Sequence, residues 1–267
     1  MKKITLSVLL FSLCFCAVKV YGNISIYPYA VDFDASSKKR VVSISVSNPS
    51  NERKTYRVSV IDMKQGITGG FKEIPSDKRP EFSAAPFIAF SPKQFTLGPG
   101  EFQTVNISRK PMLNAPTGEY TSHLKIQEVD TPMPKEATDS EGISAVLKFK
   151  YSITIPIYIR SGKTEGRVSI SAAKLEERNG QQYISITLTR EEGLKYFRGK
   201  IIATVNKNIV SEMKNMRLYP ESHERIIFLP LNKGVTDLAG KKVKIIYQSD
   251  TDTDKKKEVF SEAEFTL

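Results

Sequence analysis

The stretch ISAVLKFKYSITIPIYIR, Ile143 to Arg160, decides how this chain is read. Every second residue is apolar: Ile143, Ala145, Leu147, Phe149, Tyr151, Ile153, Ile155, Ile157 and Ile159. The interleaved set, from Ser144 to Arg160, is largely polar, although it includes Val146, Pro156 and Tyr158. Strict alternation predicts a β-strand with one dry face and one wet face. At about 3.3 Å per residue, eighteen residues extend close to 60 Å, whereas an ordinary strand has about five or six residues. A sandwich of ordinary height covers only the lower half. Periodicity alone leaves two readings open. The upper half, Ile143 to Tyr151, could present its apolar phase to a partner, or all nine apolar residues could face the chain's own core.

Working outward, short alternating runs recur on both sides. They include Val41–Ser47, Tyr56–Ile61, Phe102–Ile107, His123–Gln127, Tyr183–Leu188, Val243–Tyr247 and Val259–Phe265. Turn residues separate them at Asn48-Pro49, Gly69-Gly70, Gly98-Pro99-Gly100 and Asn179-Gly180. Helical periodicity is nearly absent. Many short strands punctuated this way predict an all-β chain of two immunoglobulin-like β-sandwiches. The polar Arg160–Lys163 segment marks the join, so the reading divides the chain into 23–162 and 163–267.

The chain opens MKKITLSVLLFSLCFCAVKVYGN. Two lysines before an apolar run too short to span a bilayer predict a secretory signal over residues 1–22, cut after Gly22. Both cysteines, Cys14 and Cys16, fall inside it. The exported chain then holds no disulfide, and burial alone must stabilise it. The whole chain carries 40 Lys and Arg against 29 Asp and Glu. Removal of Lys2, Lys3 and Lys19 leaves 37 against 29, a net charge of +8. These cations are dispersed among carboxylates, so no basic arm points to nucleic acid.

Catalytic constellations are missing. Without cysteine beyond residue 22 there is no thiol nucleophile or thiolate metal site, and His123 and His223 stand in no ligand spacing. No nucleophile elbow, phosphate-cradling glycine loop or dinucleotide fingerprint occurs. The reading is a protein that is not an enzyme and needs neither cofactor nor metal. Asp250-Thr-Asp252-Thr-Asp254 has alternating carboxylates, but Lys255 stands where a calcium loop turns on glycine, which predicts a solvated hairpin tip. The loop before the long strand, residues 130–142, is polar, acidic and longer than hairpin connections usually are.

Four segments resemble the periplasmic chaperones of chaperone–usher pilus assembly, most closely the archaic branch. They are SPKQFTLGPGEFQTV (Ser91–Val105), GEYTSHL (Gly118–Leu124), IPIYIRSG (Ile155–Gly162) and, more loosely, Leu188 to Arg190 with Gly193, Gly199 and Leu218–Pro220. The resemblance implies two sandwiches set as an L or boomerang, in the periplasm of a Gram-negative bacterium. It also implies donor-strand complementation, in which the last strand of the first domain fills the groove of an incomplete pilus subunit. The subunit then passes to an outer-membrane usher. Carried onto this chain, the donor residues are Ile143, Ala145, Leu147, Phe149, Tyr151 and Ile153, while Ile155, Ile157 and Ile159 belong to the chain's own core. No membrane insertion is implied, and the free protein could self-associate through the exposed edge. The better-known branch holds the subunit's terminal carboxylate with two basic residues whose places here are Ala30 and Pro156. The anchor must then lie elsewhere, with Arg160, Lys93 and Lys150 as candidates. The alternative reading is a structural or adhesive surface protein that polymerises through its long edge strand.

Overall fold

The computed structural model describes residues 24–112, 115–129, 150–193, 195–250 and 258–267. The signal segment, the 130–142 loop, donor positions Ile143, Ala145, Leu147 and Phe149, and the hairpin tip at 251–257 lie outside the described residues.

The alternating runs become strands that bury their apolar phase. One four-stranded sheet runs in the order β1 (Ser25–Tyr27), β3 (Val41–Ser47), β8 (Phe102–Arg109), β6 (Ile88–Ser91). Opposite it lie β2 (Val31–Asp34), β10 (Ser152–Ser161), β9 (Gly118–Val129) and β4 (Lys54–Gln65). Both β5 (Phe71–Ile74) and β7 (Gln94–Leu97) pair with β4. Their inward residues form one core: Ile44, Val46, Val105 and Ile107 from the first sheet meet Tyr56, Leu124, Ile126, Ile157 and Ile159 from the second, all fully buried.

A second core, from Val168 to Tyr247, fills a separate sandwich. Here β11 (Gly166–Arg178), β12 (Gln181–Gly193) and β15 (Glu224–Pro230) face β14 (Asn208–Leu218), β13 (Phe197–Val205), β16 (Lys242–Ser249) and β17 (Val259–Thr266). Three strands against four is the strand count of a constant-type immunoglobulin sandwich. Gly199 is required for this packing. A Cβ there would sit 1.9 Å from the Gln248 carbonyl oxygen on the neighbouring strand.

Two differences from the sequence reading have a common cause. The polar phases of β9 and β10 are not wet throughout, because His123, Pro156 and Tyr158 are buried. Period-two alternation assigns a face, but it cannot reveal that the outer face of one sheet packs against the second sandwich.

Candidate binding site

Strand β10 is bordered unequally. Antiparallel pairing with β9 runs its whole length, from Ser152↔Gln127 to Ser161↔Gly118. On the other edge, β2 pairs in parallel only from Ile157↔Val31 to Arg160↔Asp34. Among the described residues, Ser152 to Pro156 therefore form an open edge. The Glu128 amide donates to the Tyr151 carbonyl at 2.9 Å, and the Ala35 amide donates to the Arg160 carbonyl at 2.8 Å. Odd-numbered residues thus aim backbone groups at β9, and even-numbered ones aim away. Ser152 and Thr154 each present an N–H and a C=O to the open side. Pro156 is tolerated within the strand because its missing donor points away from β9, the placement expected of proline in a sheet.

Side chains change character along the same strand. Ile155, Ile157 and Ile159 are buried, as expected for the chain's own core, and Ile153 is half-buried against it. Tyr151, next in phase, is 47% exposed. The apolar phase therefore leaves the protein's own core between Ile153 and Tyr151.

The lower end of β10 forms the junction with the second sandwich. The Tyr158 and Tyr196 rings stack at 4.6 Å, and the Tyr196 hydroxyl donates to that of Tyr158 at 2.9 Å. The Tyr158 and Tyr219 hydroxyls lie 3.2 Å apart. Burial pushes all three phenols well above their ordinary range, so they act as neutral hydrogen-bonding groups. Phe71 stands edge-on to both His123 and Tyr219, at 5.5 and 5.3 Å. The turn after β4 reaches across as well, since the Ile226 amide donates to the Ile67 carbonyl at 2.7 Å.

Glu119 holds the connection. One carboxylate oxygen accepts from the Thr164 hydroxyl (2.7 Å) and the Arg160 Nε (3.3 Å), and the other accepts from the Tyr196 amide (2.9 Å). Glu119 is only 7% exposed, and a buried carboxylate needs such partners. Glu119→Ala is expected to loosen the junction, and limited proteolysis should cleave the 160–166 connection several-fold faster. Thermal unfolding of each sandwich should shift by only about 1 kcal/mol, the central value for a point substitution, because the exposed Arg160 partner stays solvated when the carboxylate is removed.

A cavity of about 430 Å³ opens at this junction, lined by Asp32, Glu119, Arg160, Tyr196, Arg198 and Glu258 among others. Burial raises the Asp32 carboxyl against the pull of Arg198 and Arg160. Of the three predicted anchor candidates only Arg160 reaches the cavity. Lys150 lies ten residues up the strand, about 33 Å away by strand rise. Lys93 lies beyond β4, where its carbonyl accepts from the Val58 amide at 2.8 Å. The three are not brought together. Two further cations line the cavity, Lys195, ion-paired to Glu258, and Arg198; sequence reasoning passed over both, because they belong to the other sandwich and nothing in its pattern signals where its outward residues point.

Among the described residues no cluster of His, Cys, Asp and Glu could hold a metal ion, and no helix is long and apolar enough to cross a membrane.

No family model matches the chain, and no curated protein matches it. Solved structures do. One is the YadV chaperone, at 12% identity and TM-score 0.48, covering 92% of this chain and all of that one. Another is the Escherichia coli chaperone DraB, at 13% identity and TM-score 0.46, covering 92% and 97%. The SafB chaperone of Salmonella enterica, solved with SafA pilin, matches at 15% identity and TM-score 0.46, covering 94% and 99%.

Proposed function

We propose that this protein is a periplasmic chaperone that binds incomplete pilus subunits by donor-strand complementation and delivers them to an outer-membrane usher. The observation that carries the reading is the half-open strand β10. Its Ser152–Pro156 edge is unpaired among the described residues, and its apolar phase leaves the protein's own core above Ile153. Exposed strand edges of this kind are normally suppressed because they recruit other chains, and strand addition is the use that fits one. The motif resemblance at Ser91–Val105, Gly118–Leu124 and Ile155–Gly162 supports the same conclusion. In this reading residues 1–22 are removed, 23–162 form the donor domain and 163–267 the second domain. The alternative, a self-polymerising surface protein, needs a free donor segment or an incomplete sandwich, whereas β1 is hydrogen-bonded into the first sheet through Ser25–Tyr27.

Ile143, Ala145, Leu147, Phe149 and Tyr151 fill the subunit's groove. Five medium apolar side chains contribute roughly 8–15 kcal/mol before ordering costs, enough to hold a subunit durably. The subunit's terminal carboxylate sits in the junction cavity on Arg160, with Arg198 beside it and Lys195 held by Glu258. A bidentate guanidinium partner is the strongest side-chain contact available to a carboxylate.

The test is co-expression with the subunit encoded beside it. Leu147→Glu with Phe149→Glu is expected to reduce co-purified subunit at least tenfold while the chaperone itself stays folded. Undiminished subunit would sink the donor-strand assignment. Arg160→Ala with Arg198→Ala should lower subunit yield, and Lys93→Ala should not.

A further inference from the structure

Two arginines oppose one another where the second sandwich faces the first. Phe197, Met216 and Leu218 lie in the second core, and the register pairs Arg198 directly with Arg217 between them. Directly opposed residues share a face of the sheet, so both side chains leave the sandwich on its outer side, about 5 Å apart at Cβ. Like charges placed this way destabilise a sheet. Neither arginine forms an ion pair with a carboxylate among the described residues. A third, Arg225, donates to the Arg217 carbonyl. Arg217 and Arg225 each bury an Nε that has no hydrogen-bond partner among the described residues.

The carboxylates nearby are committed elsewhere. Glu119 accepts from Arg160, Thr164 and Tyr196, Glu258 holds Lys195, and Asp34 accepts from the Ser36 amide and hydroxyl. Asp32 remains, and Arg198, Arg160 and Arg217 all act on it. With Arg160 engaged by Glu119, two guanidiniums face one carboxylate.

The tyrosines beside them supply a further donor. Arg217 acts on all three phenols, Tyr158, Tyr196 and Tyr219. Two hydrogen bonds join their hydroxyls, at 2.9 and 3.2 Å, and each bond uses one hydroxyl proton. Three phenols carry three protons, so one is left over whichever way the second bond runs. Among the described residues no acceptor outside the triad takes it. Opposed guanidiniums, orphaned Nε groups and a spare phenol proton are all donors, and what they lack is an acceptor with negative charge.

We propose that this junction binds a free inorganic oxyanion of the phosphate or sulfate type, bridging Arg198 and Arg217 beside the tyrosine triad. A carboxylate has two oxygens, which a single guanidinium fork satisfies. A tetrahedral oxyanion has four, enough for two guanidiniums and a phenol together, and its second charge answers the second arginine. The cavity of about 430 Å³ that Tyr158, Tyr196 and Arg198 line gives it a way in. The inference shares this cavity with the proposed carboxylate site but does not rest on the chaperone reading, because the ligand is titrated into the chain alone.

Isothermal calorimetry of the exported chain at fixed ionic strength should show saturable binding of inorganic phosphate and of sulfate, with Kd about 1 mM or tighter. Acetate should bind at least tenfold more weakly, and chloride should give no saturable heat. Arg198→Gln and Arg217→Gln should each weaken phosphate about tenfold, the loss of one charged hydrogen-bonding partner. Arg57→Gln, at an exposed position on β4, should bind as the wild type does. Arg198 is itself exposed, so its variant keeps the test decisive even where Arg217→Gln fails to fold. No saturable heat with phosphate or sulfate up to about 20 mM, well above that Kd, overturns the proposal. Acetate binding as tightly as phosphate overturns it too, since the cavity would then be a plain carboxylate site. Phosphate binding unchanged in Arg198→Gln would place the anion elsewhere, with the same consequence.

Discussion

Arg190→Leu is expected to destabilise the second sandwich by about 3–5 kcal/mol, because several buried carbonyls lose their donor together. Arg190 is 6% exposed and, among the described residues, has no carboxylate in its hydrogen bonds. Its guanidinium donates instead to five backbone carbonyls: Ser222 through Nε, Gly193 and Lys195 through Nη1, and Leu218 and Tyr219 through Nη2. These carbonyls lie at the ends of β12 and β14 and in the connections that follow them, to β13 and to β15. Leucine would fill much of the volume and leave these carbonyls short of a donor, and each unsatisfied group costs about 1–3 kcal/mol. Lysine should not rescue the variant, since one ammonium cannot reproduce a planar fork of five donors. The same two connections carry Tyr196 and Tyr219 into the junction. Calorimetry should therefore show the second sandwich melting earlier, and the junction tyrosines should become accessible to solvent at lower temperature. Unchanged melting of the second sandwich would contradict this role.

How far this was legible in the sequence depends on what alternation can encode. The runs at Val41–Ser47 and Phe102–Ile107 read directly as strands, because one face of each is wet and the other is buried at Ile44, Val46, Val105 and Ile107. The division of β10 was also legible in part. Ile155, Ile157 and Ile159 lie in the chain's own core, and Tyr151 lies outside it. The junction was not legible. His123 and Tyr158 occupy the polar phase of their strands and are buried by a domain distant in sequence, a fact that no local period contains. Arg190 appeared only as part of a loose motif, and its five carbonyl partners come from turns whose geometry is fixed by the folded sandwich. Arg198 carried no signal at all. What a sequence pattern cannot show here is which outer face meets another body.

Burial pushes the His123 imidazole down to about 4 from an ordinary 6.5, with Arg217 acting in the same direction and Asp62 opposing. The ring is 5% exposed, with the Phe71 and Tyr219 rings beside it. Its Nδ1 has no hydrogen-bond partner among the described residues. Between about pH 6.5 and 4 the unfolded chain binds this proton and the folded chain does not, so stability rises with pH across that window. The contribution is fully present above 6.5 and is lost as pH falls through the window, to a total on the order of 3 kcal/mol at the acid end. Asp32 and Glu221 work against this slope, because burial raises both carboxyls and their folded forms hold protons more tightly. The total slope is therefore a sum, and the variant His123→Phe isolates one part of it. Phenylalanine keeps a ring against Phe71 and Tyr219 and cannot titrate. Denaturant unfolding at pH 7 and pH 4.5 should show the wild type losing more stability on acidification than the variant, by a margin on the order of 2–3 kcal/mol. Equal losses would mean that the junction admits a proton at His123 without opening, and that the packing of Phe71, His123 and Tyr219 is looser than their ring distances indicate.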